Sequence, residues 1–288
     1  MTRRGHTLVG LVAVALWSLL ALLTVATAPV PPLQLNAMGF AVGAAVGLVW
    51  ALATGGLGPL RAMSWKVLAF GTSGLFGYHL LYFTALRLAP PAEAGLVAYL
   101  WPLLIVLLSG LLPGEQLRTG HVVGAALGLL GAAVLLGAGL SGDPSAWPGY
   151  AAALACALVW SSYSVISRLM GAVPTVCVTA FCAASAVLSS GLHLALEETA
   201  WPEGAAGWAA VLGLGLGPVG LAFYVWDLGV KRGDIQALGA ASYAAPVLST
   251  LALVAAGMAD PTWRLAVAAA LVTGGAALAA RAGGPRPA

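Results

Sequence analysis

The sequence predicts an all-α polytopic membrane protein, with ten transmembrane helices forming two inverted five-helix repeats around a central cavity. Three observations support this prediction. Of the 288 residues, 61% are hydrophobic and only 7% are charged, against about 25% charged residues in soluble domains. Ten apolar runs each approach the roughly 20 residues that a membrane-spanning helix needs. The two halves, residues 1–141 and 142–288, also resemble each other.

The ten apolar runs are separated by short connections that are rich in glycine and proline, the residues that most often form turns. The first run follows Arg3 and Arg4 and has some signal-peptide character. We interpret it as a retained helix, because it is long enough to span the bilayer and the repeat requires it. The predicted helices cover residues 7–25, 33–53, 66–86, 92–112, 119–140, 148–169, 174–196, 206–229, 235–257 and 262–281.

The distribution of Lys and Arg predicts the orientation, because cytoplasmic loops carry an excess of these residues. If the N-terminus is cytoplasmic, ten of the twelve basic residues fall on that side. Only Arg87 and Arg264 fall on the other side, so we expect both termini in the cytoplasm. The ten are Arg3, Arg4, Arg61, Lys66, Arg118, Arg168, Lys231, Arg232, Arg281 and Arg286.

The internal repeat is the most informative feature for function. Trp17 aligns with Trp160 at an offset of 143 residues, and after a one-residue slip Pro102 aligns with Pro246. Each half holds five predicted helices, so the second half enters the membrane from the opposite side. Inverted repeats of this kind place a substrate site near the midplane between the halves and support alternating access.

Pro102 lies in the middle of the fourth predicted helix, where it cannot donate a backbone N–H and displaces the carbonyl of Ala98. Pro246 should free the carbonyl of Ser242 in the same way. In a bilayer such carbonyls need a partner in the protein or in a water-filled cavity. The two breaks are therefore either packing kinks or walls of a cavity, and the repeat favours the cavity.

Polar and aromatic residues at mid-depth concentrate in helices one, three, four, six, eight and nine. Each of them has a plain alternative, because a buried ring is often a packing residue and a serine often bonds its own helix. His79 either titrates or only donates a hydrogen bond. Tyr99 and Trp101 lie on nearly opposite faces of one helix, so we expect only one of them to face the cavity. The candidate substrate-binding residues are Trp17, Tyr78, His79, Tyr82, Tyr99, Trp101, Pro102, Trp160, Ser161, Tyr163, Tyr224, Tyr243 and Pro246.

A cavity with these walls offers ring faces, hydroxyls and freed carbonyls but no fixed charge. Ring faces and carbonyls suit an ammonium group, while hydroxyl, indole and imidazole donors suit a carboxylate. The sequence therefore predicts a small zwitterion such as an amino acid as the substrate. Its scattered histidines and cysteines have no metal-ligand spacing and no Walker A motif is present. We expect no metal, cofactor, catalytic residue or nucleic-acid partner.

Two other ionisable residues are assigned structural roles. Asp227 lies four residues before Lys231, a spacing that predicts an ion pair on one helix face. Glu93 lies in the first turn of the fourth predicted helix, where the helix dipole favours a carboxylate. We expect it to cap the helix, with a gating role as the alternative.

The fifth and tenth helices carry glycines at four-residue spacing, as in Gly120, Gly124 and Gly128. Small residues at this spacing let two helices approach closely. The spacing predicts either packing within the chain or the interface of a homodimer.

The sequence resembles the drug/metabolite transporter superfamily, of the ten-helix EamA type. The resemblance covers essentially the whole chain and rests on five short segments. It implies a bacterial inner-membrane protein whose cavity is lined by the six helices named above, and which exports amino acids and related metabolites. Exporters of drugs or nucleosides are the alternative within transport, and an intramembrane enzyme is the distant one. The segments are residues 15–18, 82–86, 99–102, 158–161 and 243–246.

Overall fold

The computed structural model describes residues 1–137 and 143–282, and the described part is helical without strands. The boundary between the predicted repeats, the end of the fifth predicted helix and Arg286 lie outside these residues. The helices are α1 (Arg3–Trp17), α2 (Leu20–Ala26), α3 (Pro32–Thr54), α4 (Gly58–Arg61), α5 (Trp65–Leu88), α6 (Pro91–Ala98), α7 (Trp101–Ser109), α8 (Thr119–Leu136), α9 (Trp147–Leu169), α10 (Val178–Leu196), α11 (Gly204–Leu216), α12 (Ala222–Arg232), α13 (Ile235–Ala241), α14 (Ala244–Ala255) and α15 (Trp263–Ala282).

The protein is a multi-pass membrane protein. Eight helical stretches of the described chain are long and apolar enough to cross a bilayer, and Glu93–Ser109 forms a shorter apolar helix. The third predicted helix corresponds to α5, which has 24 residues. Each of the ten predicted helices therefore coincides with helical structure.

Four of the ten are interrupted near their middle. The first is divided into α1 and α2, the fourth into α6 and α7, and the ninth into α13 and α14. In the eighth, a π-helical turn at Gly217–Leu221 joins α11 to α12. The prolines predicted the interruptions of the fourth and ninth helices, whereas the break after Trp17 was not predicted.

The glycines of α8 are used for packing within the chain. A Cβ added to Gly124 would overlap the carbonyl oxygen of Gly275 in α15, and one added to Gly128 would overlap the ring of Tyr243. The two helices therefore approach as closely as their backbones allow. Gly274, on the other side of α15, has no atom within 4 Å of an added Cβ.

Both ends of the described chain lie at the same end of the bundle, which we call the N-terminal face. Arg3, at the start of α1, contacts Glu115, with 3.0 Å between Arg3 Nη2 and Glu115 Oε2. Arg118 Nη1, in the same connection, donates to the carbonyl of Ala282 at 2.7 Å. At this face α1 packs tightly against α12, because a Cβ added to Gly10 would lie 3.0 Å from the Cα of Gly229.

At the opposite face, Glu197 joins three helices. It accepts from the backbone N–H of Leu33 at 3.1 Å and of Gln34 at 3.2 Å, so it caps the start of α3. Arg87 Nη2 at the end of α5 lies 3.1 Å from the carboxylate of Glu197, and His193 of α10 contacts it as well. A carboxylate at a helix N-terminus is favoured by the exposed N–H groups, so this cluster fixes α3, α5 and α10 to one another.

Candidate functional site

Four indole rings meet at the centre of the bundle. They are Trp17 of α1, Trp101 of α7, Trp160 of α9 and Trp226 of α12, and every pair of ring centroids lies between 5.1 and 6.4 Å apart. Most of the pairs are edge-to-face or tilted, the arrangements that aromatic quadrupoles favour. Trp101, Trp160 and Trp226 are buried, whereas Trp17 is half-buried. We call this group the four-indole cluster.

The helix interruptions surround the four-indole cluster. Trp17 is the last residue of α1, Trp101 is the first residue of α7, and the π-helical turn lies just before α12. The indole Nε1 of Trp17 donates to the carbonyl of Pro218, in that turn, at 3.1 Å. Trp226 Nε1 donates to Ser164 Oγ at 3.0 Å. Irregular backbone at mid-membrane depth is tolerated where protein groups satisfy it, and here one indole does so.

Tyr243 binds backbone groups at the interruption of the fourth predicted helix, between α6 and α7. Its hydroxyl accepts from the N–H of Leu103 at 3.2 Å and donates to the carbonyl of Tyr99 at 3.0 Å. Pro102 occupies the second position of α7, where a missing N–H costs nothing. The hydroxyl thus satisfies backbone groups on both sides of the break.

The interruption of the ninth helix corrects one prediction from the sequence. Pro246 was expected to free the carbonyl of Ser242, but that carbonyl accepts from the N–H of Ala245 at 3.1 Å. The chain tightens into a three-residue turn before the proline, which provides the carbonyl with a local donor.

A second group of rings, from α5, adjoins the four-indole cluster and is half-buried. Tyr78 lies 5.5 Å from Trp160 between ring centroids and stacks on Tyr82 at 6.1 Å. Tyr78, His79 and Tyr82 are partly exposed, unlike the three buried indoles behind them. These residues and Trp17 are therefore the accessible part of the aromatic centre.

The imidazole of His79 is fixed by its own helix. Its Nδ1 lies 2.7 Å from the carbonyl oxygen of Leu75. A carbonyl can only accept, so Nδ1 carries the hydrogen, and in the neutral ring Nε2 is then an acceptor. The edges of Phe40 at 5.1 Å and Phe223 at 6.1 Å set the ring orientation.

Sequence reasoning missed the phenylalanines at this centre. Phe40 stacks on Phe223 at 5.7 Å between centroids, and Phe223 lies 5.8 Å from Trp160. Phe40 belongs to α3, the second predicted helix, which is not among the six helices predicted to line the cavity. The available signal was an isolated ring in a run of small and aliphatic residues, which resembles ordinary packing.

The remaining candidates lie outside the accessible centre. Tyr224 Oη donates to the carbonyl of Gly43 at 3.0 Å, between α12 and α3. Tyr163 stacks on Trp160 at 5.3 Å but faces Phe70 and Gly74 at the edge of the cluster. Ser161, Tyr243 and the two prolines are buried, and Ser161 Oγ bonds the carbonyl of Leu158.

The two aromatic residues of the fourth predicted helix, which corresponds to α6 and α7, have different neighbours. Trp101 joins the four-indole cluster, whereas Tyr99 packs beside Val106 and Tyr243. The two rings therefore have different surroundings, and Trp101 is the one that belongs to the four-indole cluster.

In the described part of the chain, the ion pairs are formed at or near helix ends and in the connections. The predicted ion pair is confirmed, with 2.9 Å between Lys231 Nζ and Asp227 Oδ2. Within residues 1–137 and 143–282, no group of three or more His, Cys, Asp or Glu side chains could hold a metal ion. The groups available at the accessible centre are therefore ring faces, hydroxyls and one imidazole.

Comparisons with known proteins identify the family of the chain. The EamA-like transporter family matches residues 4–137 and again residues 147–281. Relatives named aromatic amino acid exporter YddG are 57% identical in Ancylobacter novellus, over 97% of this chain and 98% of that protein, and 27% identical in Salmonella typhimurium, over 87% and 88%. A crystal structure with 56% identity covers 98% of this chain and 99% of its own, with a TM-score of 0.93. The chain belongs to the EamA-like transporter family.

Proposed function

We propose that the protein exports aromatic and other neutral amino acids across the bacterial inner membrane by alternating access. The observation that carries the proposal is the accessible aromatic centre, formed by Trp17, Tyr78, His79 and Tyr82 in front of the buried indoles. The names of the two relatives, both aromatic amino acid exporters, support the substrate class. The proposed activity is transport without catalysis, cofactor or metal.

The chemistry of the centre suits an aromatic zwitterion. The face of Trp17 or Tyr78 receives the ammonium group, an interaction worth about 0.5–2 kcal/mol depending on exposure. The hydroxyls of Tyr78 and Tyr82 donate to the carboxylate, and the remaining ring surface packs against the substrate side chain. Weak, dispersed contacts of this kind accept several neutral amino acids, which suits an exporter.

Many transporters that work by alternating access are built from inverted repeats, and we propose that residues 1–141 and 142–288 form such repeats. The two separate family matches support this division. The tight packing of α1 on α12 closes the N-terminal face, while α2, beyond the break, has no buried residue. We therefore assign this structure to a state in which the centre is open to the opposite face.

The orientation follows from charge. Basic residues mark the cytoplasmic side, and the N-terminal face holds Arg3, Arg118 and Arg168. Both termini are accordingly placed in the cytoplasm in this proposal. A homodimer is proposed only through the exposed side of α15 that contains Gly274, because the glycines of α8 face the same chain.

Transport by purified protein in liposomes tests the proposed function. Labelled tryptophan, phenylalanine and leucine are loaded inside, and their efflux is measured with and without an imposed proton gradient. We expect all three to move, with the aromatic substrates saturating at lower concentration. If no amino acid moves or competes while a nucleoside or a cationic drug does, the substrate class is wrong. The effect of the gradient identifies whether protons are coupled to export.

A further inference from the structure

The N-terminal face carries a cluster of four charged side chains centred on Glu115. Arg3 Nη2 contacts both carboxylate oxygens of Glu115, at 3.2 and 3.0 Å. Arg168 Nη2 contacts the same carboxylate, and Asp234 Oδ2 lies 3.7 Å from Arg3 Nη2. The side chain of Glu115 is only 7% exposed. We call these four residues the ion-pair cluster.

The ion-pair cluster is joined to the backbone of the helices around it. Arg168 Nη1 donates to the carbonyls of Val230 at 2.8 Å and Gly233 at 2.9 Å, where α12 ends. The backbone N–H of Asp234 donates to Thr7 Oγ1 of α1 at 2.9 Å. One guanidinium thus connects the end of α9 with the end of α12 and with the connection before α8. Charge-assisted hydrogen bonds of this kind are about twice as strong as neutral ones.

Two ion pairs of the cluster cross between the halves of the chain. Glu115 belongs to the first half and Arg168 to the second, and Arg3 and Asp234 are divided in the same way. Helices α1, α9 and α12, which supply three of the four central indoles, are all tied by the cluster. The N-terminal face cannot open between the halves without separating Glu115 from Arg168.

The repeat contains no second copy of this arrangement. At the offsets of 143 and 144 residues, the positions equivalent to Arg3, Glu115, Arg168 and Asp234 are Ala146, Ala259, Val25 and Pro90. None of these can form an ion pair. Arg87 and Glu197 also form an ion pair between the halves at the opposite face. That pair is present in the same structure in which we propose that the opposite face is open, so it is not the counterpart of the latch.

We propose that the ion-pair cluster is a one-sided latch, which holds the N-terminal face closed and sets the resting protein in the state open to the opposite face. The proposal rests on the proposed function, because it assumes alternating access between the two faces. Symmetric repeats alone would give the two states similar free energies. Contacts that exist in only one of the states shift the equilibrium towards it. The cluster therefore lowers the free energy of the state in which the N-terminal face is closed.

Neutralising Glu115 should release the latch. In the Glu115→Gln variant Arg168 stays largely buried in the closed state without its counter-charge, which is costly, whereas in the open state water reaches it. We expect the population ratio of open to closed N-terminal face to rise at least tenfold, which is about 1.4 kcal/mol at 25 °C.

The test measures distances between spin labels and needs no substrate. Labels on Gln116→Cys and Gly171→Cys, two exposed positions on either side of the Glu115–Arg168 contact, report the width of the N-terminal face. The native cysteines are buried and compete little for the label. Glu198→Gln, the same change at an exposed position on the opposite face, is the matched control.

We expect a single short spin-label distance in the parent and in the control. In the Glu115→Gln variant we expect a second population with a longer distance. Arg3→Ala removes only the exposed partner and should shift the ratio by at least twofold, which keeps the test available if Glu115→Gln does not fold. Unchanged distance distributions in the obtainable variants overturn the latch. A shift accompanied by no amino acid transport leaves the latch standing and overturns the proposed function instead.

Discussion

The individual rings of the aromatic centre have unequal roles, and exposure separates them. Trp101, Trp160 and Trp226 are buried and hydrogen-bonded or packed against one another. Trp17 and Tyr78 retain accessible faces. We therefore expect removal of a buried indole to reduce stability first, by about 3–5 kcal/mol for a change to alanine. Under the proposed function, removal of an accessible ring should reduce binding first.

Tyr78 provides the clearest test of binding at the residue scale. The Tyr78→Ala variant loses one ring face and should raise the KM for tryptophan about twofold to twelvefold, as expected from an aromatic contact of about 0.5–1.5 kcal/mol. Tyr78→Phe keeps the ring and should change the KM by less. Both are measured in liposomes at matched protein content. An equal loss of folded protein in the alanine variant would assign Tyr78 to packing.

Sequence reasoning found the residues whose side chains combine a ring with a polar atom, because such groups are conspicuous in an apolar helix. It did not separate Tyr224, which bonds Gly43, from Tyr78, which faces the centre. Both occur at mid-depth near small residues, and only the rotation of each helix about its axis distinguishes them. Phe40 was missed because a phenylalanine has no polar group, so it does not stand out in an apolar membrane helix.

At the scale of elements, the interruptions are satisfied by particular side chains. Tyr243→Phe should lower the thermal midpoint in detergent, because the N–H of Leu103 and the carbonyl of Tyr99 lose their shared hydroxyl. An unsatisfied buried group costs about 1–3 kcal/mol. Tyr82→Phe, a half-buried position away from the interruptions, is the control. Equal midpoints for the two variants would show that water or another group replaces the hydroxyl.

The packing of α8 on α15 allows a paired test of the glycine spacing. Gly124→Ala places a Cβ against the carbonyl oxygen of Gly275, so the two helices must separate and stability should fall by about 1–3 kcal/mol. Gly274→Ala meets no atom within 4 Å and should be neutral. Thermal unfolding of both variants checks this. A Gly124→Ala variant as stable as the parent would contradict this packing. A change of oligomeric state in Gly274→Ala, without loss of stability, would support the proposed homodimer surface.

How much of each element the sequence predicts depends on the residue that ends it. Prolines remove an N–H and fix φ, so the breaks at Pro102 and Pro246 were found from residue type alone. The break after Trp17 has no such marker, since Ser18 and Leu19 are both compatible with a helix. It follows from tertiary contacts, including the bond from the Trp17 indole to the π-helical turn.

For the whole molecule, composition and periodicity predicted the class and the helix count, because a bilayer leaves few alternatives to helices. The state of the transporter could not be predicted in this way. It depends on contacts between residues far apart in the chain, such as Gly10 with Gly229 and Arg168 with Glu115. Two inverted halves with the same local patterns would allow either face to be closed.

The orientation in the membrane is a property of the whole molecule and can be measured directly. Arg61→Cys, in the short helix α4, and Glu198→Cys, after α10, are exposed positions at opposite ends of the bundle. The positive-inside rule predicts that a membrane-impermeant thiol reagent labels Glu198→Cys in intact cells. Arg61→Cys should react only after the membrane is opened. The parent protein, whose cysteines are buried, supplies the background.

The reverse labelling pattern would place the N-terminal face in the periplasm, and the closed face of this structure would then be the periplasmic one. In that case the latched face would be the outer one, and the aromatic centre of this structure would be open to the cytoplasm. From the sequence, ten of the twelve Lys and Arg residues are predicted on the side of the N-terminus and two on the other side. The two orientations therefore differ in how many basic residues face the cytoplasm. Basic residues near the membrane surface gain about 1 kcal/mol each on the anionic cytoplasmic side, so we expect the labelling pattern that places the N-terminal face in the cytoplasm.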